Sequence, residues 1–159
     1  MVTLTKKING SYRSKLKSYT PITIGISKAD SEMLKKGPRD ALAKLKDGKG
    51  SPQVWYTLTF RTEATRIIGE LMYTQETANQ LKEVRDVCLT LMERYILDRT
   101  WIITDDEFAL LEDGLDAADT VQDDNTRRVQ LEAYKKADAY VKKRAKEAED
   151  RLDAQKEPA

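Results

Sequence analysis

The apolar positions of this chain follow two different spacings, one of two residues in the first third and one of three or four thereafter. Val2-Thr3-Leu4-Thr5 reads as a short strand. After Pro21, Ile22, Ile24 and Ile26 alternate with Thr23 and Gly25, which predicts a strand over residues 21–26. Val54, Tyr56, Leu58 and Phe60 alternate with Trp55, Thr57 and Thr59, which predicts the strongest strand over 53–60. Two short helices are expected between these strands. Ser27 is a suitable N-cap with Asp30 three residues on, and Gly37 ends that helix. Pro38 suits the first turn of the next, which runs through Leu42 and Leu45 to Gly48.

From Thr62 the pattern becomes helical. Ala64, Ile67, Ile68 and Leu71 mark a first amphipathic stretch. Past a candidate N-cap at Thr74, Leu81, Val84, Cys88, Leu91 and Tyr95 step by three and four, and Val87, Met92 and Ile96 widen the stripe. Thr104 and Glu107 form a capping box for a helix that turns Phe108, Leu111, Leu115 and Ala118 inward. After a polar corner at 123–126, a last helix runs to about Ala154. Its seam is Val129, Ala133, Ala137, Val141, Ala145, Ala148 and Leu152, long enough to overhang the helices expected to cover it. The fold expected is therefore α+β: a small N-terminal sheet with two short helices, followed by a helical half of three to four helices. The basic α/β portion spans 1–61 and the helical portion 62–159, together one cooperative domain.

The net charge of +1 over 159 residues conceals a strong asymmetry. Residues 1–50 hold 12 Lys/Arg against 4 Asp/Glu, while 101–159 hold 10 against 16. Between Thr100 and Thr126 there are nine carboxylates and no Lys or Arg. Asp105, Asp106 and Glu107 complement a helix N-terminus, but Glu112, Asp113, Asp116, Asp119, Asp123 and Asp124 repel one another along one helix. They are the candidate surface for a basic partner. The opposite candidate is the arm Lys6, Lys7, Arg13, Lys15 and Lys17, with Tyr12 and Tyr19 interleaved, facing a protein or a nucleic acid.

Catalytic chemistry is poorly supplied. Without histidine, the commonest general base and transition-metal ligand is missing, and Ser-His or Cys-His activation is impossible. The lone Cys88 lies on an apolar stripe, as a structural thiol does, and leaves no internal disulfide. Gly48-Lys49-Gly50-Ser51 lacks the spacing of a phosphate loop and precedes a predicted strand, so it reads as a turn. A carboxylate-based enzyme would have to use Glu63 or Glu70 near Arg66, and nothing in the pattern singles them out. No cofactor and no metal is expected.

The segment Ile22–Leu45, a period-two strand followed by two short helices, is similar in outline to the ribbon-helix-helix repressors. That resemblance would turn Thr23, Gly25 and Ser27 toward DNA bases. The function expected from the whole sequence is instead non-enzymatic: an interaction or assembly protein acting through the basic arm and the acidic helix. A homo-oligomer, or a viral or mobile-element subunit or inhibitor that binds a basic host protein, would fit. Nucleic-acid binding by the basic N-terminal third is the alternative. With no apolar run long enough for a membrane span or a secretory leader, and a single cysteine, a cytoplasmic location is expected.

Overall fold

The computed structural model describes residues 2–7 and 28–156, and these contain five helices and no sheet. They are α1 (Lys28–Lys46), α2 (Pro52–Met72), α3 (Gln75–Asp98), α4 (Asp105–Asp124) and α5 (Arg127–Lys156). The α+β expectation is thus overturned by an all-helical bundle. Helix α2 is its axis, and α1, α3, α4 and α5 all pack on it.

The predicted strand over 53–60 is the start of α2. Ser51 caps the helix by accepting from the Val54 amide, and Pro52 occupies its first turn. The threonines that suggested a pleated strand turn their hydroxyls back along the helix. Thr57, Thr59, Thr62 and Thr65 donate to the carbonyls of Gln53, Trp55, Leu58 and Arg61. Packed on every side, α2 buries both members of the supposed alternation, Val54 and Leu58 as well as Trp55 and Thr59. A helix enclosed in this way loses the apolar stripe that marks a surface helix.

Residues 2–7 are extended but form only a single bridge, Lys6 to Tyr73. They strap the start of α3: the Thr3 amide donates to Gln80 Oε1, the Thr5 amide to Thr77 Oγ1, and the Thr74 amide to the Thr5 carbonyl. The predicted strand 21–26, and Ser27 with it, lie outside the described residues. The two short helices expected before Gly48 are one. α1 runs unbroken through Gly37 and Pro38, with Pro38, Ala41, Leu42 and Leu45 buried where α1 meets α2 and α4. At its end Gly48 takes φ +76°, a left-handed turn that glycine adopts without strain.

The later elements follow the pattern. Thr74 caps α3, and Thr104 with Glu107 forms the reciprocal capping box of α4. The seam of α5 is buried at Val129, Ala133, Ala137, Val141 and Ala148, mainly against α2 and to a lesser extent α3. Ala145 and Leu152, the other members of the expected seam, are half-buried. Position 61, the expected boundary between portions, falls in the interior of α2.

Candidate interaction surfaces

The acidic helix α4 has its counter-charges within the chain. Lys35 of α1 meets Asp123 at 2.7 Å, and Arg39 reaches Asp116 at 2.7 Å and Asp119 at 2.8 Å. Arg61 of α2, buried, adds a contact to Asp119 at 3.1 Å. Packing α1 onto α4 therefore neutralises three of the six predicted acidic residues. Asp113 is also engaged. Glu112 stands exposed beside Arg39 and Lys46 at a shallow groove, and Asp124 is exposed.

Two residues of the predicted basic arm are described, and both fold onto the same end of the bundle. Lys6 Nζ donates to the Asp124 carbonyl at 2.6 Å and lies over the Tyr73 ring. Lys7 Nζ donates to the Glu70 carbonyl at 2.8 Å. Arg13, Lys15 and Lys17 lie outside the described residues, as do Thr23, Gly25 and Ser27. The helix pair that a ribbon-helix-helix outline requires is replaced by the single α1.

Glu63 and Arg66, named above as the place a carboxylate enzyme would have to use, do come together, but in the core. Glu63 is fully buried, with Arg66 Nε at 2.6 Å and Arg85 Nη1 at 2.8 Å from its oxygens. Arg66 also reaches Glu70 at 2.6 Å, Arg85 reaches Asp86 at 2.9 Å, and the Arg85 guanidinium lies over the Tyr140 ring. Every charge in the group has a partner, as burial demands. Cys88 is fully buried, its thiol pushed up to about 11 by that burial, and it meets the Thr62 hydroxyl at 3.6 Å. No group of three or more Cys, Asp or Glu among the described residues is placed to hold a metal ion. No helix among them is long and apolar enough to cross a membrane.

The surface missed by the sequence lies at the other end of α2. A groove of about 390 Å³ opens between the first turn of α2, the second half of α3 and the last third of α5. Pro52, Tyr56, Met92, Tyr95, Trp101 and Leu152 line it. Its floor is Trp55, 3% exposed, whose indole N–H donates to the Cys88 carbonyl at 2.8 Å. One wall is a stacked pair, Tyr95 on Trp101, with ring centroids 4.3 Å apart. Trp101 is held against the backbone of Gly50, where a Cβ would fall 2.3 Å from the Trp101 Cβ. Tyr56 donates its hydroxyl to Asp138 at 2.5 Å, and that bond is the main reason its own titration is pushed up to about 12.

Beyond Trp101 a second groove of about 460 Å³ is lined by Leu45, Gly50, Arg99, Ile102 and Ile103 among others. Leu97 and Ile102, within four residues of Trp101 along the chain, are 71% and 60% exposed. Among the residues that line the aromatic groove the one carboxylate is Glu149. The period-two pattern that suggested a strand at 53–60 hid it, because the groove exists only once Pro52 and Tyr56 stand on a helix. No family model matches the chain, and neither a curated protein nor a solved structure matches it.

Proposed function

We propose that this chain is a non-enzymatic interaction or assembly protein, working in a reducing compartment such as the cytoplasm. The observation that carries this reading is the aromatic groove, with Leu97 and Ile102 exposed close to it along the chain. Apolar and aromatic walls with few polar handles suit the docking of an apolar side chain from a protein partner. A second copy of the chain is the partner the geometry favours, because Leu97 and Ile102 of one copy supply the kind of side chain that the groove of another takes. The acidic helix contributes less than its composition suggests, since α1 and Arg61 already neutralise half of its six residues.

Light scattering at about 50 and about 500 mM salt tests the proposal. The two concentrations bracket strong and weak screening of surface charge. An apolar contact predicts masses above the monomer at both, and a return to monomer in the variant Leu97→Asp/Ile102→Asp. Monomer at both salt concentrations overturns self-assembly. A mass that falls to monomer only at high salt assigns the contact to charge and overturns the groove as its site.

A further inference from the structure

We infer that the outward face of α5 is a binding surface for the phosphate backbone of double-stranded nucleic acid. Lys135, Lys136, Ala139, Lys142, Lys143 and Lys146 are all exposed, and the intervals of the helix place them on its solvent side, opposite buried Ala133, Ala137 and Val141. At 1.5 Å per residue, Lys135 to Lys146 covers about 17 Å, a length over which one strand of a duplex presents about five phosphates. Five lysines face that length.

Three observations separate this face from an ordinary solvated helix. First, its charge is unevenly distributed along the helix. Residues 127–146 hold eight Lys/Arg against two Asp/Glu, and 147–156 hold two against four. The first turn of α5 contains no acid. The helix dipole acts within the first and last turns only, so it accounts for neither the lysines at 135–146 nor their grouping. Second, the lysines are not used up by the fold. Lys142 and Lys146 pair only with Asp138 and Asp150 on their own helix, through side chains 42–74% exposed. Lys135, Lys136 and Lys143 form no ion pair among the described residues. Lys35 and Arg39 of α1 and Arg61 of α2, by contrast, are spent on α4. Third, α5 packs mainly on α2 and α3 and meets acidic α4 through Gln130, which donates to the Gln122 carbonyl at 2.7 Å, ahead of the lysine stretch.

The chemistry of the ridge selects among polyanions. It is built of lysines alone, which act as point charges on phosphate and lack the forked geometry that reads base edges. Binding is therefore independent of sequence. The aromatic residues of this stretch are turned inward, Tyr134 onto Phe60 and Tyr140 beneath Arg85. No ring is left on the ridge for unpaired bases to stack on, which favours a duplex over a single strand. An apolar face able to enter a lipid headgroup layer is also missing from the ridge.

Fluorescence anisotropy with a labelled DNA duplex of about 20 bp tests the assignment. Five phosphate contacts predict a slope of about −4.5 for log affinity against log salt. The variant Lys135→Gln/Lys142→Gln/Lys146→Gln removes three contacts, bringing the slope to about −2 and weakening binding at least tenfold at low salt. Lys36→Gln/Lys44→Gln/Lys49→Gln, which lowers net charge equally elsewhere, should leave binding within about twofold. Circular dichroism confirms that each variant is helical. The inference is overturned by absence of duplex binding at low salt, or by equal loss in the two triple variants. Tighter binding of a single strand, of phosphatidylserine vesicles or of polyglutamate overturns it as well.

Discussion

Arg66 touches two carboxylates whose surroundings could hardly differ more. Glu63 is buried completely and shared with Arg85, whereas the Glu70 side chain is 56% exposed. Removing a partner from a buried ion pair leaves uncompensated charge in a poorly solvated place, which costs about 3–5 kcal/mol, while an exposed pair is worth about 0–1 kcal/mol. Glu63→Ala is therefore expected to destabilise the fold by several kcal/mol and Glu70→Ala by under about 1 kcal/mol, as read from urea denaturation midpoints at constant slope. Equal effects would show that the burial of Glu63 has no energetic consequence. Single residues with local partners were legible beforehand: Thr74 as a cap, Thr104 with Glu107 as a capping box, Cys88 as a buried thiol. The partners of Glu63 were not. Arg66 lies three residues away and suggests an ordinary surface pair, whereas Arg85 arrives from another helix, 22 positions on.

Among the elements, the α3–α4 crossing depends on one missing methyl group. A Cβ on Gly114 would stand 2.2 Å from Val84 Cγ1 and 3.1 Å from Val84 Cβ. Alanine in place of glycine in a helix ordinarily adds about 1 kcal/mol of stability. Here the steric conflict is with a side chain buried in the core and decides the sign. Gly114→Ala is expected to destabilise by about 1–3 kcal/mol despite its better propensity. Val84→Ala is destabilising alone because it opens a cavity, yet the double variant should recover part of the loss, with a coupling energy of about 0.5–3 kcal/mol in a thermal or chemical denaturation cycle. Strict additivity would mean that the helices separate freely. Helices α3, α4 and α5 could be read from spacing because each has one buried stripe and one wet face. α2 could not, since its neighbours cover it all round, and Thr57 and Thr59 serve a helix through i−4 hydrogen bonds as readily as they would a strand. Pro38 likewise promised a break that tertiary packing of α1 overrides.

Across the whole molecule, segregated charge along the chain becomes compensated charge in space. Arg39 and Asp116 are 77 positions apart, and Lys35 and Asp123 are 88, so no local reading could pair them. The same long-range packing brings α2 into contact with each of the other four helices, and a portion ending at residue 61 would have to cut through it. Unfolding is therefore expected as a single cooperative transition. Trp55 and Trp101 report one end of the bundle by fluorescence, and helical circular dichroism reports all of it. The two curves should coincide in urea. Cys88 supplies a separate measure of the same cooperativity. Its thiol is fully buried in the core, and desolvation holds its titration near 11, so at pH 8 the native protein offers a disulfide reagent neither access nor thiolate. Labelling then requires opening of the helices that pack on α2. Where opening and closing are fast relative to labelling, the rate should fall with the global unfolding free energy, and Glu63→Ala should accelerate it by the same factor that it shifts the folding equilibrium. Labelling at a rate unaffected by Glu63→Ala would mean that α3 opens locally. Two resolved steps in urea would mean that the α1–α4 layer and the α3–α5 layer unfold as separate units around α2.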